Sequence, residues 1–220
     1  MIDDSVASAE ITQYLRSLIT PNDEFLRALE KEALEEYIPV IQPEVVQLLR
    51  VVIKSAGIKS ILEIGTAVGY SAINFARECE KVVTVERDED MVRRAKENIA
   101  AAGLTEKITV VCGDALEFMA GDGGTYDMIF VDAAKGQYIK FLPECKRLLK
   151  DGGILVSDNV LYRGTVAKDG FIPRKHRTII TNLKQYLYEI SNDKELTTSI
   201  LPIGDGVAIS RKGTDDNAEG

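Results

Sequence analysis

Oxygen-bearing side chains follow two neighbouring strands that the sequence predicts, at the point where each strand ends. Asp132 comes directly after the apolar run 128–131, and Asp158 and Asn159 come directly after the run 154–157. Because neighbouring parallel strands lie about 4.8 Å apart, these ends can bring three oxygen ligands to one point. Two carboxylates and an amide carbonyl suit a hard cation such as Mg²⁺ better than zinc, since no histidine or cysteine is close in sequence. Plain turn chemistry at residues 158–159 is the alternative.

A cation at this point suits the methylation of an oxygen atom. It would lower the pKa of a bound hydroxyl group and fix that group in line with a methyl donor. Lys135 lies three residues after Asp132 and can take the hydroxyl proton if neighbouring charge lowers its own pKa. An ordinary surface lysine is the alternative. We therefore assign catalytic roles to Asp132 and Lys135 and none to the lone histidine, His176.

A glycine turn follows the first predicted strand, residues 60–64. Gly65 and Gly69 allow the backbone to approach a ligand closely, and Ser71 lies at the start of the next helix, where free N–H groups attract an anion. The Gly-x-x-x-Gly spacing differs from that of dinucleotide sites, and the amino-acid end of S-adenosylmethionine fits it better. Glu63, just before the turn, is expected to be buried and to need a cationic ligand or a backbone amide as partner.

Acidic residues after the next two predicted strands extend this cofactor site. Glu86 follows the strand 82–85 and can accept hydrogen bonds from both ribose hydroxyls; an exposed surface glutamate is the alternative. Gly113, Asp114 and Ala115 follow the strand 108–111. Asp114 can accept from an adenine amino group, cap the helix that begins at Ala115, or do both. Taken in order, these residues predict a site for S-adenosylmethionine.

The elements that must position these residues alternate along the chain, which predicts an α/β fold. Strands are predicted at 60–64, 82–85, 108–111, 128–131, 154–157, 197–202 and 206–211, and helices between them at 71–78, 89–101, 115–119, 137–149 and 177–190. This alternation indicates a parallel sheet covered on both faces, and the closing hairpin around residues 203–205 adds an antiparallel strand. We therefore predict a Rossmann-like, seven-stranded, mostly parallel sheet preceded by N-terminal helices. The first of these helices spans 9–18, with its apolar residues at helical spacing.

The length and composition favour one domain. The chain has 220 residues, of which 45% are hydrophobic; we assign residues 1–212 to a single domain, with N-terminal helices in 1–57, a core in 58–212 and a disordered tail in 213–220. No apolar run approaches the roughly 20 residues of a membrane span. The first residues lack the order of a signal peptide, and the three scattered cysteines form no CxxC pair. We expect a cytoplasmic protein.

The charge of the chain is unevenly distributed. The formal net charge of −8 argues against indiscriminate binding to nucleic acid, yet residues 163–177 contain five basic residues against one acidic residue. The residues that we expect to contact an anionic partner are Arg163, Arg174, Lys175 and Arg177. A solvated loop is the alternative.

Taken together, these motifs resemble the metal-dependent O-methyltransferases of the catechol and caffeoyl-CoA type over roughly residues 35–212. The resemblance implies a seven-stranded class I methyltransferase fold, a divalent metal at Asp132, Asp158 and Asn159, and a lysine base at Lys135. It also implies a homodimer. The cofactor contacts that it implies are Ile41, Ser71, Glu86, Asp114 and Asp132.

Residues 132–138, 158–167 and 201–210 are further similar to the bacterial tRNA methyltransferases that convert wobble 5-hydroxyuridine to 5-methoxyuridine. This similarity implies a tRNA anticodon loop as partner, with the basic residues of 163–177 on its phosphates. No RRM or KH signature is present. The same chemistry on a small catechol-like or phenolic acceptor is the first alternative. A non-catalytic cofactor-binding module is the second, and the complete set of candidate metal ligands argues against it.

Overall fold

The computed structural model describes residues 8–20, 22–168 and 173–213. They fall into two compact units, one comprising residues 8–121 and the other beginning at residue 122. The predicted tail lies outside the described residues from position 214 onward; Gly213 is described, and its amide donates to the carbonyl of Glu195. The assignment of residues 1–212 to a single domain stays a prediction. None of the described helices has the length and apolar content needed to cross a bilayer.

The first unit consists of three N-terminal helices followed by three strand–helix pairs. Its helices are α1 (Ala9–Leu18), α2 (Glu24–Glu35), α3 (Pro43–Ala56), α4 (Tyr70–Ala76), α5 (Glu89–Ala101) and α6 (Ala115–Gly121), and its strands are β1 (Ser60–Ile64), β2 (Lys81–Glu86) and β3 (Ile108–Cys112). Local chemistry explains several ends. Asp23 caps α2 by accepting from the Leu26 amide, Pro43 occupies the first turn of α3, and Gly57 ends α3 in the left-handed region with φ of +63°.

The second unit alternates strands and helices and ends in a hairpin. Its strands are β4 (Tyr126–Val131), β5 (Leu149–Ser157), β6 (Leu196–Leu201) and β7 (Val207–Lys212), its α-helices are α7 (Tyr138–Leu148) and α8 (Arg174–Asn192), and short 3₁₀ helices lie at Lys135–Gln137 and Thr165–Ala167. The ammonium group of Lys212 donates to the carbonyls of Lys146 and Leu149, and so satisfies backbone groups where α7 ends.

The seven strands form one sheet in the order β3-β2-β1-β4-β5-β7-β6. Within the first unit β2 pairs in parallel with β1 and with β3, and within the second unit β4 pairs in parallel with β5. Strand β7 is antiparallel to both of its neighbours. The predicted seven-stranded, mostly parallel sheet is therefore confirmed. The central strands are buried along most of their length, as expected for strands covered on both faces.

The structure corrects several predicted boundaries in the second unit. Strand β5 begins at Leu149 and not at residue 154, because Leu149 already pairs with Tyr126 of β4; the register then shifts across residues 150–153, where Gly152 has a φ of +77°. Helix α8 begins at Arg174, three residues before the predicted start, and a 3₁₀ helix precedes α7. The connection between β6 and β7 covers residues 202–206 and is longer than the predicted tight turn, since Asp205 and Gly206 bond to the backbone of residues 160–161 instead.

Helix α1 packs against the rest of the first unit through its polar side. Its apolar residues Ile11, Tyr14, Leu15 and Leu18 are 45–64% exposed, whereas Thr12 is buried. The guanidinium of Arg16 donates two hydrogen bonds, of 2.7 and 2.8 Å, to the carboxylate of Glu44 on α3, which is only 7% exposed. A bidentate pair of this kind is among the stronger polar contacts, so it is a main anchor of α1.

We expect Arg16→Ala to loosen α1 while the rest of the chain stays folded. The change leaves the buried Glu44 carboxylate without its bidentate donor, which costs about 1–3 kcal/mol. Hydrogen exchange followed by mass spectrometry should show faster exchange in residues 9–18, with little change in the sheet. Arg27→Ala on α2 is the matched control, because Arg27 is exposed and takes part in no ion pair among the described residues. Unchanged exchange in α1 would show that this ion pair is not its anchor.

Candidate active site

The turn after β1 takes backbone conformations that its glycines allow. Gly65 and Gly69 have φ of +102° and +85°, a region that other residues rarely adopt. A Cβ on Gly69 would lie 3.4 Å from the Cβ of Ala95, so α5 passes close to this position. The Gly69 amide donates to the carbonyl of Thr66 at 2.8 Å and closes the turn. Residues 65–69 therefore form the tight turn that the glycine spacing predicts.

The carboxylate of Glu86 braces this turn from the end of β2. Its Oε2 accepts from the amides of Thr66 and Ala67 at 3.2 and 3.1 Å, and its Oε1 accepts from those of Arg87 and Asp88 at 2.9 and 3.0 Å. A carboxylate offers about four lone-pair sites, so backbone amides can occupy all of them. The exposed-glutamate alternative is therefore wrong. Contact with ribose stays a prediction, and it requires some of these amides to give way to hydroxyl groups.

Glu63 is fully buried, as predicted. The hydroxyl of Thr84 donates to its Oε2 at 2.5 Å, and the Thr84 oxygen also lies 2.6 Å from the hydroxyl oxygen of Thr66. A threonine hydroxyl was not among the expected partners. This chain of hydrogen bonds joins β1, β2 and the glycine turn, and so gives Glu63 a role in holding the turn.

The remaining predicted cofactor residues also belong to the first unit. Ile41 is buried just before α3, and Ser71, the second residue of α4, is largely buried. Asp114 accepts from the amides of Leu116 and Glu117 at 2.8 and 3.2 Å, which confirms the capping alternative. Its side chain is exposed, so its second oxygen stays available to a ligand. The predicted cofactor residues of this unit are Ile41, Glu63, Gly65, Ser71, Glu86, Gly113, Asp114 and Ala115; their contacts to a cofactor stay predictions.

The second unit brings Asp132, Lys135 and Asp158 together. Val131 of β4 pairs with Ser157 of β5, so the two aspartates follow paired residues, as the sequence predicts. The Asp158 amide donates to the carbonyl of Val131 at 3.0 Å. The Nζ of Lys135 donates to Oδ1 of Asp132 at 2.9 Å, and both side chains are only partly exposed. The surface-lysine alternative for Lys135 is therefore wrong.

Asp158 carries a strongly perturbed carboxyl group. It is 2% exposed, and burial, followed by the negative charge of Asp132, raises the pKa of Asp158 to about 8. A hydrogen bond of 2.7 Å from the Asn159 amide and the charge of Lys135 act in the opposite direction. Two carboxyl groups placed in this way favour a proton or a cation between them.

The donor set fits a hard divalent cation. Two carboxylates and one amide oxygen are ligands that Mg²⁺ accepts, and they leave room for water or substrate oxygen. Among the residues that the structure describes, no three His, Cys, Asp or Glu side chains are grouped for a metal. The predicted set therefore includes the amide of Asn159 as its third ligand, and the metal site stays a prediction. The φ of +54° at Asn159 shows that residues 158–159 form a turn, as the alternative expects, whereas their role as metal ligands stays a prediction.

Two residues that the sequence analysis did not select touch this site. The phenol of Tyr138 donates to the carbonyl of Asp158 at 2.9 Å. Asp205, in the connection between β6 and β7, accepts from the amide of Arg163, and its charge adds to the raised pKa of Asp158. An acid between two glycines, Gly204 and Gly206, is the signal that could have singled it out. Its partner lies 42 residues away in sequence, so spacing alone could not identify the contact.

The predicted basic residues lie around the start of α8. Arg174, Lys175 and Arg177 are exposed, the first turn of α8 contains no acid, and Pro173 provides no side-chain cap. Basic charge and free amides at a helix start both favour an anion. The Nδ1 of His176 lies 2.8 Å from the hydroxyl of Tyr162. This contact joins α8 to the loop that carries Arg163, whereas residues 169–172 lie outside the described residues.

Comparison with known proteins identifies the class of fold and chemistry. Residues 16–213 match the family model described as O-methyltransferase. A catechol O-methyltransferase of Niastella koreensis is 32% identical over 165 residues, which cover 71% of this chain and 75% of that protein. Caffeoyl-CoA O-methyltransferase 2 of Populus trichocarpa is 32% identical over 180 residues, covering 76% of this chain and 72% of the relative.

A solved structure extends the similarity to the whole fold. A Staphylococcus aureus protein described as a candidate caffeoyl-CoA O-methyltransferase has a TM-score of 0.87 and 35% sequence identity, with coverage of 93% of this chain and 100% of that one. The family match spans most of the chain and includes both the glycine turn and the acidic strand ends. The chain therefore belongs to the O-methyltransferase family.

Proposed function

We propose that this protein transfers the methyl group of S-adenosylmethionine to a hydroxyl group of a catechol-like or phenolic acceptor, with a divalent cation at Asp132, Asp158 and Asn159. The observation that carries the proposal is the acidic cluster at the ends of β4 and β5, next to Lys135, in a chain of the O-methyltransferase family. The names of the relatives, a catechol and a caffeoyl-CoA O-methyltransferase, favour a phenolic acceptor.

The first unit supplies the site for the methyl donor. The turn 65–69 keeps side chains away from the ligand, and Ser71 and the free amides at the start of α4 receive its carboxylate. Glu86 accepts from the ribose hydroxyls in exchange for backbone amides, and Asp114 accepts from the adenine amino group while it caps α6. Ile41 contributes apolar contact. These assignments rest on the positions of the residues and on the family.

The second unit supplies the site for the acceptor. Mg²⁺ held by Asp132, Asp158 and Asn159 would lower the pKa of an acceptor hydroxyl and fix its oxygen. Lys135 is positioned by its 2.9 Å contact with Asp132, and it takes the hydroxyl proton on Nζ when it is in its neutral amine form. The acceptor oxygen then forms the new bond to the methyl carbon as the bond from that carbon to sulfur breaks. S-adenosylhomocysteine leaves with the electron pair of that bond.

A second candidate acceptor is 5-hydroxyuridine at the wobble position of tRNA. The observation that favours it is the basic surface formed by Arg163, Arg174, Lys175 and Arg177, whose last three members have no ion-pair partner among the described residues. An RNA backbone would find phosphate contacts there. A small uncharged diphenol forms no ion pairs with this surface. Reversing the charge of the surface should therefore impair methylation of tRNA and leave methylation of a diphenol unchanged. A homodimer and a cytoplasmic location remain predictions.

We expect the purified protein to methylate catechol (1,2-dihydroxybenzene), an uncharged diphenol, when Mg²⁺ and S-adenosylmethionine are present, and EDTA to abolish the reaction. The charge-reversed variant R174E/K175E/R177E should keep kcat/KM for this diphenol within about threefold. Exposed charges that do not contact an uncharged acceptor contribute little to its binding. The matched control is K31E/K59E/K96E, which reverses three exposed lysines of the first unit. Methyl transfer is measured by mass spectrometry of the product.

The same variants test the second candidate on tRNA that contains 5-hydroxyuridine. Nucleoside mass spectrometry should detect no 5-methoxyuridine if the acceptor is phenolic. The second proposal would replace the first if three results are found together. The wild-type protein and K31E/K59E/K96E form 5-methoxyuridine, R174E/K175E/R177E does not, and the diphenol is not methylated. A KM that rises only for a phosphate-bearing ester such as caffeoyl-CoA would assign the basic surface to a small anionic acceptor.

We also expect the metal-free protein to lose stability as the pH rises through the range in which Asp158 ionises. The pKa of Asp158 is raised in the folded chain from 3.8 to about 8, so the folded state binds the proton more tightly than the unfolded state between these values. This group therefore lowers the free energy of unfolding as the pH rises from about 4 to about 8. Urea unfolding at several pH values in EDTA measures the effect.

Asp158→Asn should remove this component of the pH dependence, because the amide does not titrate. Added Mg²⁺ should stabilise the wild-type protein more at pH 8 than at pH 6, since the cation competes with the proton, and it should leave the variant unaffected. Asp151→Asn, at a fully exposed carboxyl group, is the control. Identical pH slopes for the wild-type protein and Asp158→Asn would contradict the assignment.

A further inference from the structure

The loop that follows the proposed metal ligands has an unusual backbone. Asn159, Tyr162 and Arg163 have φ of +54°, +46° and +55°, and Gly164 follows with +68°. Residues other than glycine rarely adopt this left-handed region, and they stay there only when surrounding contacts hold them. A series of such residues directly after two metal ligands therefore needs an external support.

The connection between β6 and β7 provides that support. The amides of Val160 and Leu161 donate to the carbonyls of Gly206 and Asp205 at 2.9 and 3.0 Å. The amide of Arg163 donates to the carboxylate of Asp205, which is 6% exposed. Three hydrogen bonds, from the amides of residues 160, 161 and 163, thus hold this loop in one register against residues 205–206.

The fit between the two segments is close. Gly206 has φ of +88°, and a Cβ at this position would lie 2.3 Å from Cγ of Leu161. The backbone of residue 206 therefore lies directly against the Leu161 side chain. The hydroxyl of Tyr162 lies 2.8 Å from the Nδ1 of His176 on α8, but this contact joins two side chains. The contact to the backbone at Arg163 is made by the carboxylate of Asp205.

We propose that Asp205 is a positioning residue for the divalent cation: its carboxylate holds the backbone at Arg163, and with it the loop that presents Asp158 and Asn159. The inference rests on the proposed function, because it presupposes a cation at those residues. Asp205 does not itself contact the cation in this scheme. Groups that orient metal ligands typically change metal affinity about 10–100-fold when they are removed.

The test is direct binding of Mn²⁺ to the protein without methyl donor or acceptor, measured by the electron paramagnetic resonance signal of the free ion. We expect Asp205→Ala to raise the Kd for Mn²⁺ about 10-fold or more. Asp205→Asn should raise it by less than about threefold, because the amide oxygen still accepts from the Arg163 amide. Asp151→Ala removes an exposed acid from the same unit and should leave the Kd unchanged.

A rescue variant separates support of the backbone from loss of charge. In the Asp205→Ala background, Arg163→Gly should recover most of the lost affinity, because glycine adopts the left-handed conformation without support. In steady state, Asp205→Ala should raise the KM for Mg²⁺ while kcat at saturating Mg²⁺ stays within about threefold. Circular dichroism checks that each variant is folded; if Asp205→Ala is not, Asp205→Ser, whose hydroxyl is too short to reach, takes its place.

Three results would overturn the inference: wild-type affinity in Asp205→Ala, equal losses in Asp205→Ala and Asp205→Asn, or no recovery with Arg163→Gly. The second result would assign the effect to charge alone. A failure of the proposed metal site looks different. In that case the wild-type protein binds no Mn²⁺, or its binding survives both Asp132→Asn and Asp158→Asn.

Discussion

Burial of the Asp158 carboxyl group beside the negative charge of Asp132 is the constraint on which the second unit depends. Parallel pairing of β4 with β5 forces the two carboxyl groups to share one end of the sheet, and burial denies Asp158 the water that would screen its charge. Lys135 and the Asn159 amide offset only part of that cost, as the raised pKa of Asp158 shows. A proton at this point therefore stabilises the unit, and under the proposed function a divalent cation would take its place, which suits an enzyme that must bind and orient an oxygen atom.

The first unit solves a different problem with the same functional group. The carboxylate of Glu86 is saturated by four backbone amides, and it stabilises the glycine turn in the absence of a ligand. Asp114 likewise satisfies the start of α6 before it meets any ligand. Under the proposed function, ligand binding there would exchange existing hydrogen bonds, whereas a cation at Asp158 would supply an additional interaction. The two acidic sites thus differ in whether the protein or the ligand completes them.

Much of this arrangement can be predicted from sequence because it is local. Asp132 and Asp158 could be placed together because each ends an apolar run, and parallel strands align their ends. The Gly65–Gly69 spacing predicted the turn for a similar reason. Two features could not be predicted because they depend on segments that are distant in sequence. They are the hydrogen bond from the Arg163 amide to Asp205 and the orientation of α1. Its apolar spacing predicts a helix, but only the Arg16–Glu44 pair shows that the polar side faces the protein.

The contact between Gly206 and Leu161 restricts how this family of chains can vary. A methyl group at position 206 has no space while a side chain occupies position 161, because it would lie 2.7 Å from the Cβ and 2.3 Å from the Cγ of Leu161, and the positive φ at 206 penalises any replacement independently. Substitutions at these two positions should therefore be coupled across an evolutionary record, although 45 residues separate them in sequence. A library that randomises the loop of residues 160–164 to change specificity would have to keep position 206 as glycine, or redesign both segments together.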